Sequence, residues 1–249
     1  MDALKYKVYK SLDSTNEEAK RLLIRNHPRV WILALKQTDG RGRSGKRWLT
    51  EEDSFAASLL YYLDIAYSEM ALRSYVAAVA LYDCVVNLGV NEKLLTLKWP
   101  NDLLFDGRKV AGILLETVHV PDSFRKSLIV GFGVNLDSCP APSQLEKSVN
   151  LPGTLKSSGC SIPDPEEFLN LLMPLYEYWD QRLTDNGFDK LRAEYLNRTI
   201  PIGKKIAVNS ANNSTSGFFS GIRGDGALEI KNASGTEFIT AGDVYLIGD

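Results

Sequence analysis

Two apolar runs meet at a two-residue turn near the middle of the chain, and this arrangement limits the possible folds more than any other local feature. Leu103-Leu104-Phe105 leads into Asp106-Gly107, and Lys109 to Glu116 leads out, which is the pattern of an antiparallel hairpin. A sheet is therefore required. Val30 to Leu35, Phe55 to Tyr62, Leu94 to Lys98 and Ser127 to Val134 supply further strands, most of them apolar enough to be buried. Helices are predicted from about Thr15 to Arg25, from Ser68 to a stop at Gly89, and around Asp189 to Asn197. Another opens at Asp164-Pro165-Glu166-Glu167, which supplies a cap, an N1 proline and acidic first-turn residues. Its expected apolar face is Phe168, Leu171, Leu172, Leu175 and Trp179. Ser14-Thr15-Asn16-Glu17 has the form of a capping box for the first helix.

Beyond Thr199 the texture changes to short strands separated by Gly, Asn and Ser turns, the mark of a small β-barrel. A chain of 249 residues accommodates one large core plus such an appended unit. The expected architecture is α+β: a mixed β-sheet with flanking helices over residues 1–198, followed by a C-terminal barrel over 199–249.

A net charge of −2 and a pI near 5.8 give no overall attraction to nucleic acid or anionic membrane, so any cationic function has to be local. The N-terminus has no apolar h-region, and no stretch approaches the roughly 20 apolar residues that span a bilayer. A cytoplasmic protein without membrane attachment is expected. Three cysteines without a CxxC pair, and two histidines far apart at His27 and His119, support neither a disulfide framework nor a protein-held metal.

Local cationic chemistry does exist. Gly40-Arg41-Gly42-Arg43-Ser44-Gly45-Lys46-Arg47-Trp48 alternates flexible backbone with positive charge and ends on an indole. Its arginines offer planar forks for phosphate or carboxylate, and Trp48 offers a face for a flat ring. Taken alone, this segment also suits a solvated loop or a nucleic-acid contact. Lys98-Trp99-Pro100-Asn101-Asp102 places a lysine at a strand end just before a proline-fixed turn, so the ammonium is aimed. Gly131 and Gly133 in Gly131-Phe132-Gly133-Val134-Asn135, and Gly112 in Lys109 to Glu116, mark close approach of a ligand or backbone, or bulges. Asp137 to Pro152 reads as a long loop of the kind that closes over a site.

In this order and spacing, with Ser14-Thr15-Asn16 and Gln37 upstream, these segments resemble the biotin protein ligases, also called holocarboxylase synthetases. The resemblance runs from about Ser14 to the C-terminus. It implies a catalytic fold like that of class II synthetases and a terminal barrel of SH3 type. It further implies that biotin and ATP, with Mg2+, give biotinyl-5′-AMP, and that a lysine of a biotin carboxyl carrier domain then attacks the adenylate. By the same resemblance Ser14, Thr15, Asn16, Gln37, Arg41, Gly42, Arg43 and Lys98 contact biotin. Gly40, Arg43, Trp48 and Asn135 take the adenylate, and Gly112, Gly131 and Gly133 line the pocket with backbone. Lys98 and Arg43 stabilise the charge of the adenylation step, and Asp137 to Pro152 folds over the nucleotide. Lys46 stands where many relatives carry arginine and is left out of the assignment. Asn101-Asp102 is the local candidate to deprotonate the acceptor lysine.

A lipoyl or octanoyl ligase or transferase is the competing enzyme reading, because it shares the fold and a lysine but normally lacks this Gly/Arg loop. Some relatives also bind DNA through an N-terminal winged helix, which Met1 to Asp13 is too short to hold, so no specific DNA binding is expected. Oligomeric state stays open, a homodimer paired through an exposed sheet edge being one option.

Overall fold

The computed structural model describes residues 5–25, 29–51, 53–119, 126–144, 151–210 and 214–247. A seven-stranded sheet with strand order β1-β2-β3-β7-β6-β5-β4 forms its larger part. The strands are β1 (Tyr6–Tyr9), β2 (Val30–Ala34), β3 (Phe55–Leu63), β4 (Leu95–Lys98), β5 (Asp102–Phe105), β6 (Arg108–His119) and β7 (Lys126–Val134). Only β1 and β2 run parallel, and the predicted hairpin at Asp106-Gly107 joins β5 to β6. The architecture is thus mixed α+β, as expected.

Strand period explains why the sheet is covered on both sides. On β2, Val30 and Ile32 point one way, with Leu60 and Ile129, into a small core formed with Ala19, Leu22 and Leu23 of helix α1 (Thr15–Ile24). Trp31 and Leu33 point the other way, with Val130 and Phe132, into the main core under α3 (Arg73–Asn87) and α4 (Pro165–Asn186). Burial on both faces is what makes these strands read as continuous apolar runs.

The helix expected from Ser68 is two, α2 (Tyr67–Ala71) and α3. They part at Leu72, where Leu72 N–H bonds to the Glu69 carbonyl and Tyr75 N–H to the Leu72 carbonyl, three residues back in each case. Asp164 caps α4 as predicted, its carboxylate accepting from the N–H groups of Glu166 and Glu167. The buried face of α4 includes Phe168, Leu172, Tyr176, Trp179 and Leu183, while the expected Leu171 is exposed because it falls off this row. The capping box at Ser14 is not made: the Ser14 side chain bonds to no helix N–H. Glu17 is instead paired with Lys20 and Arg41.

Helix α5 (Phe188–Leu196) leads into an antiparallel five-stranded sheet ordered β11-β10-β9-β8-β12. Its strands are β8 (Lys205–Asn209), β9 (Ser214–Ile222), β10 (Leu228–Asn232), β11 (Gly235–Ile239) and β12 (Asp243–Leu246). Ile206, Val208, Phe219, Ile222, Leu228, Ile230 and Val244 join the main core, so the two sheets share apolar contacts. The connection is also hydrogen-bonded: Leu97 N–H donates to the Arg198 carbonyl at 2.8 Å, and Thr199 Oγ1 donates to the Leu97 carbonyl at 2.6 Å. The segment between the sheets is thereby stitched to β4.

Truncating Leu23, fully buried between α1 and the sheet, should cost about 2–5 kcal/mol through lost burial and a cavity. Urea denaturation of Leu23→Ala should show a lower midpoint with an unchanged far-ultraviolet circular dichroism spectrum before unfolding.

Candidate functional site

Helix α1 covers only half of its sheet face. Across β3, β7 and β6 the next two rows on that face are Ser58, Gly131 and Leu114, then Ala56, Gly133 and Gly112. Apart from Leu114 these residues are small, and they leave a hollow where larger ones would continue the core. The result is a cavity of about 580 Å³, within the range of small-molecule sites. Ser14, Thr15, Asn16, Gln37, Arg41, Gly42, Arg43, Trp48, Lys98, Gly112, Gly131, Gly133 and Asn135 all line it, which brings together every sequence-predicted site residue except Gly40. Gly40 lies just outside, where a Cβ would strike the Trp48 carbonyl.

One end of the cavity is a closed polar network. Thr15 N–H donates to Gln37 Oε1 at 2.8 Å, so Gln37 performs the helix-start role that Ser14 does not. Gln37 Nε2 in turn donates to Thr50 Oγ1 at 3.1 Å. Ser58 Oγ lies 2.5 Å from Asn16 Oδ1 and 2.7 Å from Thr15 Oγ1. Since an amide oxygen only accepts, the single Ser58 proton goes to Asn16, and Ser58 accepts from Thr15. Asn16 Nδ2 donates to Glu116 at 2.7 Å. Gly131 is what lets Asn16 lie against the sheet, because a Cβ there would strike the Asn16 amide oxygen.

The Gly/Arg segment forms a tight hairpin over the cavity. Gly42 N–H bonds to the Lys46 carbonyl at 2.8 Å, and Trp48 N–H to the Gly40 carbonyl at 2.8 Å. Its tip turns through left-handed Ser44 (φ 54°) and Gly45 (φ 75°), so Gly45 is the glycine whose freedom the turn needs. Gly42 is extended, a conformation open to other residues. Trp48 lies on the floor made by Gly112 and Gly133, where a Cβ on either would press into the indole. Arg43 donates to Asn101 Oδ1 at 3.3 Å and to the Gly242 carbonyl at 3.4 Å. Burial lowers its pKa, with Asp243 and Asp102 acting against the shift. A guanidinium nonetheless remains charged under these conditions. Arg41 is half-exposed and pairs with Glu17 at 3.0 Å.

Lys98, 3% exposed, ends β4 and is held by Asp102 at 3.0 Å and by the Val244 carbonyl at 3.3 Å. The turn that aims it is pinned by Trp99, whose indole N–H donates to Tyr75 Oη at 3.0 Å. Asp102 also binds Lys109 at 2.6 Å. Burial opposes charge on Asp102, but Lys109 and Lys98 outweigh it and hold the carboxyl below the usual carboxylate range. Asp102 is thus the shared counterion of these two ammonium groups. Asn135 Nδ2 donates to the Gly153 carbonyl at 3.0 Å, while its buried Oδ1 has no hydrogen-bond partner among the described residues.

Several lining residues were not assigned from sequence. Lys109 and Asp243 belong to this group, and Lys46 pairs with Asp243 of β12 at 2.6 Å. Ser58 and Glu116 act behind the wall. Of the expected closing loop, residues 145–150 lie outside the described residues; Pro140, Gln144 and Pro152 reach the cavity. His27 also lies outside them. Six cations and two carboxylates line the space, so it suits an anion despite the acidic chain. Among the described residues no three His, Cys, Asp or Glu side chains cluster as metal ligands, and no helix is long and apolar enough to cross a membrane.

The sequence profile of the Biotin/lipoate A/B protein ligase family matches residues 8–135. A biotin–[acetyl-CoA-carboxylase] ligase of Paracoccus denitrificans is 36% identical over 236 residues, 95% of this chain and 98% of that protein. The chain belongs to this ligase family. The bifunctional ligase/repressor BirA of Bacillus subtilis is 28% identical, the match spanning 94% of this chain and 72% of BirA. In fold, a biotin protein ligase from Aquifex aeolicus in complex with biotin and ATP superposes with a TM-score of 0.80 at 22% identity, covering 98% and 99% of the two chains. A Leishmania major biotin protein ligase in complex with biotinyl-5-AMP gives 0.59 at 18% identity, covering 95% and 99%.

Replacing Asp102 by Asn would leave two ammonium groups without their buried counterion and should cost about 2–3 kcal/mol at neutral pH. Because the folded-state pKa of Asp102 is depressed, its contribution is present above the unfolded value of about 3.9 and is lost as pH falls toward the folded value. Urea midpoints of wild type and Asp102→Asn should therefore differ at pH 7 and converge below pH 4.

Proposed function

We propose that this protein is a biotin–protein ligase: it activates biotin with ATP to biotinyl-5′-AMP and transfers biotin to one lysine of a biotin carboxyl carrier domain of a carboxylase. The observation that carries the reading is the joining of a closed polar end to a cationic end in one cavity. A ureido ring needs both donors and acceptors, which Ser14, Thr15, Asn16 and Gln37 offer at the closed end. The dithiolane of lipoate would find no use for them, which favours biotin over the competing substrate. Arg41, Gly42 and Arg43 with Lys98 then receive the biotin carboxylate.

In the first step a biotin carboxylate oxygen attacks the α-phosphorus of ATP, the bond to the β-phosphate oxygen breaks, and pyrophosphate leaves. Two anions must meet, so the barrier is electrostatic. Lys98, buried and fixed by Asp102 and Val244, stands ready without reorganisation, and Arg43 lines the same cavity. Gly40, Arg43, Trp48 and Asn135 take the adenylate; the indole stacks the purine, and the open Asn135 Oδ1 is an acceptor for a nucleotide N–H. Magnesium enters with ATP as part of the substrate, since both lining carboxylates are engaged by lysines. In the second step the amine of the acceptor lysine attacks the acyl carbon, and AMP leaves. Asp102, paired with Lys98 and Lys109, is their counterion in this step.

Residues 1–198 act as the catalytic unit and 199–249 as a C-terminal SH3-like barrel. The second unit contributes Gly242, Asp243 and Val244 to the rim of the site. The work is carried out in the cytoplasm, where carboxylases and ATP are at hand.

Purified protein should catalyse biotin-dependent ATP–pyrophosphate exchange, and exchange that runs with lipoate or octanoate but not biotin would overturn the assignment. Lys98→Ala and Arg43→Ala should each slow single-turnover adenylate formation by about 10²–10³ with the fold intact. Unchanged rates would remove them from the mechanism.

A further inference from the structure

Three polar groups meet where the five-stranded sheet touches the turn after β4. Trp99 Nε1 donates to Tyr75 Oη at 3.0 Å, and Tyr75 Oη donates to the Gly226 carbonyl at 2.6 Å. An indole N–H only donates and a carbonyl only accepts, so the direction of both bonds is fixed. Burial raises the Tyr75 pKa, and the hydroxyl keeps the proton that this chain of bonds requires. Trp99 Nε1 also lies 3.3 Å from the Gly226 carbonyl, which closes the contact into a triangle.

Tyr75 has little freedom to leave it. The residue is 4% exposed in the first turn of α3, and Phe188 and Tyr195 of α5 meet its ring edge-on, with centroids at 5.0 and 4.8 Å. From the other side comes Gly226, left-handed at φ 84° in the turn between β9 and β10, where a Cβ would lie 3.1 Å from Tyr75 Cε2. That turn is tied by Gly226 N–H to the Arg223 carbonyl at 2.9 Å and by Ala227 N–H to Asp225 at 3.1 Å. A fixed point of the C-terminal sheet is thereby fastened to Trp99.

The residues flanking Trp99-Pro100 belong to the cationic end of the cavity. Lys98 precedes the pair, and Asn101 follows it and accepts from Arg43. The C-terminal sheet reaches the same two cations from β12, through the Val244 carbonyl to Lys98 and the Gly242 carbonyl to Arg43. Lys98 is thus held from two sides, so its place depends on how β4 and β12 sit relative to each other. Tyr75, outside the cavity, joins those two sides with one hydroxyl.

We infer that Tyr75 is a positioning residue for adenylation, a step that rests on the ligase reading above. Its hydroxyl sets the C-terminal sheet against the Trp99 turn, and through that register it places Lys98.

Tyr75→Phe keeps the ring in its packing and leaves Trp99 Nε1 the Gly226 carbonyl, so the variant should fold. Rapid quench would measure single-turnover adenylation, and calorimetry biotin binding, in the wild-type and Lys98→Ala backgrounds. In the wild-type background adenylation should slow about tenfold with biotin affinity within about threefold, because α1 and Gln37, which form the closed polar end, are separate from this contact. In the Lys98→Ala background the further slowing should be less than about twofold, since Tyr75 acts through the missing lysine. Tyr61→Phe removes another buried tyrosine bond, to Tyr176 at 2.8 Å in the main core, and should leave the rate within about twofold. An unchanged rate for Tyr75→Phe would overturn the inference, as would equal slowing in both backgrounds or equal slowing by Tyr61→Phe. Biotin binding lost in parallel with rate would also overturn it, showing that the site has merely loosened. If urea denaturation finds Tyr75→Phe unfolded, Gly226→Ala, which presses on the same ring, takes its place with the same expected results. Wild-type protein without biotin-dependent exchange would instead defeat the ligase reading itself, so the two failures are told apart.

Discussion

A sheet face exposed to solvent has to be covered, and in this protein one short helix covers only part of it. Ala19, Leu22 and Leu23 close the half beneath α1. The other half carries Gly131, Gly133, Gly112, Ala56 and Ser58, with Leu114 the one large side chain in these two rows. Everything in the site follows from that bare strip. Asn16 rests on Gly131, Trp48 rests on Gly112 and Gly133, and the Gly/Arg hairpin has a hollow to fold over. Side chains at those glycines would fill the space from below and push both residues away.

Charge is the second consequence. The cations come from three separated segments: the hairpin at 40–48, the end of β4 and the bulged start of β6. Gathered without an anion, they repel one another in a cavity of reduced dielectric. Asp102 answers this at the centre and Asp243 at the rim, and both are held by lysines. The C-terminal sheet belongs to this arrangement, because its β12 supplies Asp243 and the Gly242 and Val244 carbonyls that receive Arg43 and Lys98. A unit that looked like an appendage in sequence therefore touches the chemistry.

Much of this was legible because short-range chemistry carried it. The hairpin at Asp106-Gly107, the cap at Asp164 and the apolar strands declare themselves through turn residues and periodicity. β1 was missed: it is a four-residue edge strand with few buried side chains, so it shows no clear pattern. The capping box at Ser14 was misread because Gln37, distant in sequence, takes the helix N–H. Lys109 was hidden for a more specific reason. Alternation along β6 sends it to the wrong face, and a bulge leaves no mark on a single strand read alone. Asp102 was visible as the local candidate base, but its pairing with Lys98 and Lys109 appears only in three dimensions.

The central claim is that one cavity joins biotin to AMP and passes it to a protein lysine. Its most direct measurement is the intact mass of a biotin carboxyl carrier domain after incubation with this protein, biotin and MgATP. The account predicts the gain of one biotinyl group, lost when either biotin or ATP is withheld and when the acceptor lysine is replaced by arginine. An unmodified carrier domain, or a mass gain that survives without ATP, would contradict it.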